Sequence, residues 1–119
     1  MKDAIKAFKA LSDETRLRIL NLLMERECCV CEVMQALDIS QTRASRNLNA
    51  LYDAGFLKMH KEGLWSVYAL DKEGMPHYLA ELIKVVPVVL RNNPEARADR
   101  RRLKKAQRVG PGCATKRRR

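Results

Sequence analysis

With 119 residues, 46% of them apolar, the chain can bury one modest core and leaves no room for a second domain of ordinary size. Its formal charge of +10 points to an anionic partner such as nucleic acid. The surplus is local: residues 1–90 carry 12 Lys/Arg and 12 Asp/Glu, so 91–119 hold 24 − 12 = 12 basic and 14 − 12 = 2 acidic residues.

The chain begins MKDAIKAFKAL, which lacks the uninterrupted apolar run of a secretory signal, and a cytoplasmic protein is expected. Ala4, Ile5, Phe8 and Leu11 recur at helical spacing and predict a first amphipathic helix. Ser12 and Asp13 are natural N-caps for a second, with Leu17, Leu20 and Leu23/Met24 inward, Arg16 and Arg18 solvated, and an end near Arg26. A third, short helix is predicted from about Cys31 to Leu37, with Val33, Met34 and Leu37 inward, stopping in a tight turn at Asp38-Ile39-Ser40. Ser40 caps a fourth helix whose faces divide cleanly. Ala44, Leu48, Leu51 and Gly55 lie on one side; Arg43, Arg46 and Asn47 lie opposite, flanked by Gln41, Thr42, Ser45 and Asn49. Such side chains address base edges and phosphate oxygens, and two helices joined by a short turn form a helix-turn-helix. For that helix taken alone, a solvated face is the plain alternative.

Phe56 to Lys61 alternate as a strand, with Leu57 and Met59 on one face and Lys58 and His60 on the other. Glu62-Gly63 reads as a two-residue turn, and LWSVYAL returns. A hairpin directly behind a helix-turn-helix is a wing, whose basic tip can follow a phosphate backbone. The expected contacts to double-stranded DNA are Ser40, Gln41, Thr42, Arg43, Ser45, Arg46 and Asn47 on the helix, with Lys58, His60 and Lys61 on the wing. A last helix from about Met75 to Asn92 carries Leu79, Leu82, Ile83, Val86, Val89 and Leu90, a broader apolar face than one small domain covers, so a second copy is expected there. Pro87 should kink or divide it. With Glu81 and Lys84 inside it, the stretch is too short and too charged to span a bilayer, and no membrane partner is expected. Beyond Pro94 charge runs dominate; disorder is expected, apart from a helical extension to about Gln107, with sequence-blind attraction to phosphates. The fold class is therefore mainly α with a β-hairpin wing: a winged helix-turn-helix DNA-binding and dimerisation domain over 1–92, then a basic tail over 93–119.

Cys28, Cys29 and Cys31 place three thiols in four positions. That clustering suits neither the spread crosslinks of a secreted scaffold, nor the spaced pairs of a structural zinc site, nor the Cys-x-x-Cys of a thioredoxin-like enzyme. It fits a soft ion held by thiolates, with the start of the third helix lowering a thiol pKa. Residues two apart on a regular helix point away from each other, so joint capture by Cys29 and Cys31 is expected to need a first turn that is unwound or not yet helical. Competing readings are small buried residues at a helix start, or a basic RNA-associated or redox-sensing DNA-binding protein with a thiol cluster. A thiol enzyme would lack an acid/base partner, since His60 and His77 lie outside the motif, and no catalysis is expected.

FKALSDETRLRIL from Phe8 to Leu20, Cys29-Val30-Cys31-Glu32, Ser40-Gln41 with Ser45-Arg46-Asn47-Leu48, Gly55-Phe56-Leu57 and Tyr68-Ala69-Leu70 together resemble the ArsR/SmtB family of bacterial metal-sensing winged-helix repressors, over about residues 5 to 71. Within it, the cysteine motif resembles the arsenical-responsive branch. The resemblance implies a homodimer through the first and last helices and repression of an arsenic-resistance operon at double-stranded operator DNA. It implies no permanent cofactor and an inducer that is As(III) or Sb(III), with methylated arsenicals as a further class. The ligand role falls on Cys29 and Cys31. The third cysteine of the arsenical pattern is Met34 here, which leaves Cys28, where the family usually has leucine, or Cys113 in the tail as third ligand. The family's His after Ser-Arg is Asn47. A second family site pairs Asp and His on the last helix; His77 alone does not supply it.

Overall fold

The computed structural model describes residues 1–109. In chain order it contains α1 (Lys2–Leu11), α2 (Glu14–Leu23), β1 (Cys28–Cys29), α3 (Val30–Leu37), α4 (Gln41–Asp53), β2 (Leu57–Glu62), β3 (Trp65–Leu70), α5 (His77–Ile83), α6 (Val86–Val89) and α7 (Pro94–Lys105). Ile19, Leu20 and Leu22 of α2, Val33 of α3, Leu48 and Leu51 of α4, and Phe56, Leu79 and Val86 are fully buried and form the centre of the core. Apolar residues at three- and four-residue spacing thus bury one face of each helix.

The turn between α3 and α4 is short because each end is closed locally. Asp38 takes the left-handed conformation at φ 57°, which halts α3, and the Ser40 hydroxyl accepts the Arg43 N–H at 3.1 Å to begin α4. At the far end Gly55, at φ +97°, turns the chain straight into β2, and the Phe56 N–H returns to the Leu51 carbonyl. A Cβ there would also lie 3.2 Å from Leu79 Cδ1.

The three strands form one antiparallel sheet in the order β1-β3-β2. Glu62 pairs with Trp65, so the hairpin turn is Gly63-Leu64, one residue later than the Glu62-Gly63 turn expected. Gly63 supplies the positive φ, +61°, that the first turn position of a tight hairpin requires. The expected helix from Met75 to Asn92 is divided ahead of Pro87, between Ile83 and Val86, into α5 and α6; proline fits the first turn of α6, where an N–H has no helical partner to lose.

Long-range packing corrects the expectation that Arg16 and Arg18 are solvated. Arg18 is not solvated: it is 9% exposed and bonds Asp99 of α7 through Nε and Nη2, both at 2.8 Å. Arg16 is half-buried and closes the end of α1, with Nε on the Ala10 carbonyl at 2.7 Å and Nη2 on the Lys9 carbonyl at 3.1 Å. The helical extension expected to about Gln107 is present as α7, Pro94–Lys105. The Asn93 side chain accepts the Ala96 N–H at 2.9 Å, Pro94 occupies the first turn, and Ala96, Asp99 and Leu103 face inward to dock α7 on α2 and α3. No helix among the described residues is long and apolar enough to cross a membrane.

Candidate thiol site and DNA-reading helix

Successive residues of a strand point to opposite faces, and β1 is held in register by β3, Cys28 opposite Tyr68 and Cys29 opposite Val67. Cys28 therefore enters the main core, its Sγ 3.6 Å from the Arg26 carbonyl. Cys29 turns the other way and packs with Cys31 and Val67 beneath Met34, Trp65 and Val109. Cys29 is the N-cap of α3 with extended backbone (φ −82°, ψ 171°), while Cys31 lies in the first turn. Their sulfurs are 3.1 Å apart. Of the two geometries expected for joint capture, a first turn unwound or not yet helical, the structure has the second: Cys29 is extended, and the strand-to-helix junction directs both side chains to one place.

Cys29 and Glu32 form a capping box: the Cys29 sulfur faces the Glu32 N–H, and Glu32 Oε1 accepts the Cys29 N–H at 2.8 Å. Burial pushes the Cys29 thiol up to about 11; the Glu32 and Cys31 N–H groups pull it down, and the Glu32 charge raises it. Burial likewise pushes Cys28 up to about 12. The helix start thus acts in the direction expected, and desolvation outweighs it. Cys113 lies outside the described residues.

Glu32 is buried and joins several elements. Its Oε2 accepts Arg26 Nη1 at 3.0 Å, and Arg26 Nη2 reaches the Leu103 carbonyl at the end of α7 at 3.1 Å. At the other end of α3, Arg102 of α7 donates to the Ala36 carbonyl at 2.7 Å, and Arg18, held by Asp99, to the Leu37 carbonyl at 3.5 Å. Both ends of the thiol-bearing helix are therefore fastened to α7.

On α4, Thr42, Arg43, Arg46 and Asn49 are exposed. Gln41 bonds Ser45 Oγ at 2.9 Å, Arg43 Nη2 bonds Thr15 Oγ1 at 2.9 Å, and Asn49 accepts the Tyr68 hydroxyl at 3.2 Å. Asn47 is corrected: it is 9% exposed, accepts Arg16 Nη1 at 3.0 Å and donates to the Arg43 carbonyl at 2.9 Å. It fastens α4 to α2. Sequence reasoning missed this network, whose only signal is a polar residue falling next to the apolar stripe. Lys58, His60 and Lys61 are exposed on the wing, with His60 Nε2 2.6 Å from Glu62 Oε2.

A helix pair with a three-residue turn, an arginine-bearing second helix and a basic hairpin behind it define a winged helix-turn-helix DNA-binding protein. The family described as "Bacterial regulatory protein, arsR family" matches residues 13–59. The chain is 45% identical over 83 residues to the arsenical resistance operon repressor of Escherichia coli (strain K12), covering 69% of this chain and 68% of that protein. It is 44% identical over 72 residues to a cadmium resistance transcriptional regulatory protein CadC homolog of Staphylococcus aureus, 60% of each chain. The homodimeric winged helix-turn-helix domain Mb0332 from Mycobacterium bovis superposes with a TM-score of 0.63 at 30% identity, over 78% of this chain and 82% of that one. The chain belongs to the ArsR family of bacterial transcriptional regulators. It is a DNA-binding regulator and not an enzyme.

Proposed function

We propose that the chain represses an arsenic-resistance operon as a homodimer on two-fold symmetric operator DNA, and leaves it when As(III) or Sb(III) is captured at Cys29 and Cys31. The observation that carries this reading is the pair of sulfurs 3.1 Å apart at the start of α3, the helix that precedes and packs against α4. Arsenous acid, As(OH)₃, suits Cys29 and Cys31 once both are in the reduced, thiol form: each As–O bond is exchanged for an As–S bond, the thiol proton leaves with the hydroxide as water, and arsenic stays trivalent. A soft ion prefers such sulfurs to the carboxylates nearby. A methylated arsenical would need fewer sulfurs than As(III) itself.

Capture engages the Cys29 sulfur that caps α3 and so removes an acceptor from the first-turn N–H groups. Because α3 is fastened at both ends and packs on α4, its displacement changes the spacing of the two recognition helices across the dimer. Exposed Ile5 and Phe8 of α1 and Val85, Val88 and Val89 around α6 support dimerisation through these elements, since they are apolar faces that the chain's own core does not cover. Thr42 and Arg46 would address bases, with Ser40, Gln41, Arg43 and Ser45 beside them, while Lys58, His60 and Lys61 meet phosphates.

Fluorescence anisotropy on an operator duplex recovered by in vitro selection tests this. Arsenite should release the wild type and the Cys28→Ser variant, and leave the Cys29→Ser/Cys31→Ser variant bound. Equal release of the double variant would refute the reading.

A further inference from the structure

A cavity of about 420 Å³ lies between α7 and the turn that follows α2. Its wall carries five cations, Arg26, Arg97, Arg100, Arg101 and Lys104, against the carboxylate of Glu25. The four on α7 stand three or four positions apart, the spacing at which helical side chains are neighbours. Every neighbouring pair among them, 97/100, 97/101, 100/104 and 101/104, is like-charged, and each such pair weakens the helix. Among the described residues none of these four forms an ion pair, whereas charges on the docked face of the same helix are paired: Asp99 takes Arg18 at 2.8 Å and Arg102 at 3.1 Å. The helix dipole accounts for Lys104 in the last turn but opposes Arg97, which lies near the start. Arg26 is fixed in the wall, with Nη1 on Glu32 Oε2 at 3.0 Å and Nη2 on the Leu103 carbonyl at 3.1 Å, and keeps N–H donors to spare.

A helix face that repels itself becomes favourable when an anion of several charges sits among its cations, because arginine and lysine hold phosphate oxygens by charge-assisted hydrogen bonds. The reading helix lies at the other end of α2. Arg43, near the start of α4, bonds Thr15 in the first turn of α2, whereas the cavity begins at Glu25 and Arg26, past its last residue, Leu23. The 10 residues of α2 span about 15 Å. A concave site at that remove suits a compact ion better than the flank of a duplex. We infer that the cavity between α7 and the end of α2 is a binding site for a compact phosphate polyanion of the triphosphate class, held by Arg26, Arg97, Arg100, Arg101 and Lys104. The bound anion joins α7 to the end of α2 and so strengthens the docking that Asp99 and Leu103 provide from the inner face. The site stands apart from the thiol pair and does not depend on its chemistry.

Calorimetric titration of the full chain with inorganic triphosphate, at an ionic strength held constant with sodium chloride, tests this, with thermal unfolding as a second readout. The wild type should bind saturably, and its unfolding midpoint should rise as triphosphate is added. Arg100→Gln/Lys104→Gln, which keeps helix-forming side chains, should bind about tenfold more weakly. In chloride alone it should melt above the wild type, because the repulsion is relieved. Its affinity for operator DNA and the salt dependence of that affinity should be unchanged, and Arg46→Ala should bind triphosphate as the wild type does. Absence of saturable binding, or a loss of triphosphate affinity in Arg46→Ala, would overturn the site. A double variant that melts lower and binds triphosphate equally would make the face a structural one and overturn it too. A reduced salt dependence on DNA in that variant, with no triphosphate bound by the wild type, would assign the face to the duplex and refute the small-anion site.

Discussion

Arg18 and Asp99, 81 residues apart in the chain, meet in a bidentate pair with both hydrogen bonds at 2.8 Å, and Asp99 is almost wholly buried. Asp99 also takes Arg102 at 3.1 Å, so one carboxylate holds α7 against α2 and orients the two guanidinium groups that reach the end of α3. Removing it would leave Arg18 charged and buried without its partner. Asp99→Ala should therefore cost about 3–5 kcal/mol in urea unfolding, whereas Arg18→Met/Asp99→Leu should recover most of the loss. A cost below about 1 kcal/mol, ordinary for an exposed pair, would mean that α7 is not docked.

Arg46 and Asn47 are adjacent in sequence and differ in what they do. Arg46→Ala should weaken operator binding and lower its salt dependence by about one ion if the side chain meets a phosphate, or relax specificity at one base pair if it meets a base. Asn47→Ala breaks the bond from Arg16 and should lower stability by about 1–3 kcal/mol, with unchanged sequence preference in a binding-site selection. Altered preference in Asn47→Ala, at wild-type stability, would return that side chain to the DNA.

How much of this was legible in the sequence depended on the range of the interaction. Ser40, the apolar stripe of α4, and the alternation of Leu57 to Lys61 with a return strand revealed the helix-turn-helix and wing, because caps and periodicity are local. Pro87 divided the helix it interrupts for the same reason. β1 was not legible: it has two residues, and what makes it a strand is β3, nearly 40 positions away. Arg18 looked solvated because its partner lies 81 residues on. The helical extension beyond Pro94 was expected, but its inward stripe of Ala96, Asp99 and Leu103 lies amid a charge run and is too faint to reveal that α7 docks on α2 and α3. At the thiol site the cysteine cluster was plain, but the opposite facing of Cys28 and Cys29 followed from the unseen strand. Burial, likewise unseen, reversed the expected direction of the Cys29 pKa.

Stability should fall in alkali, and the sign follows from the thiols. Cys28 and Cys29 are pushed up to about 12 and about 11 from an ordinary value of 9.0, so the folded chain holds these protons more tightly than the unfolded one. Their stabilising effect is complete below pH 9 and is lost progressively as pH rises toward 11 and 12. The urea midpoint should decline across this window, and Cys28→Ala should show a shallower decline. Parallel declines in both proteins would indicate that Cys28 titrates normally.

Phe8 is 55% exposed and Val89 62% exposed on faces assigned to a second copy. Phe8→Glu and Val89→Glu should each shift sedimentation from dimer to monomer and weaken operator binding by at least tenfold, since a single half-site then carries the affinity, while helix content is unchanged. A dimer that persists in both variants would place the interface elsewhere.

X-ray absorption at the arsenic edge tests the sulfur pair most directly, because it reads the atoms bound to the ion irrespective of any effect on DNA. The wild-type chain loaded with arsenite should show at least two sulfurs in its first shell, and Cys29→Ser/Cys31→Ser should show oxygen or no retained arsenic. The same sulfur count in the double variant, or a shell without sulfur in the wild type, would contradict the account.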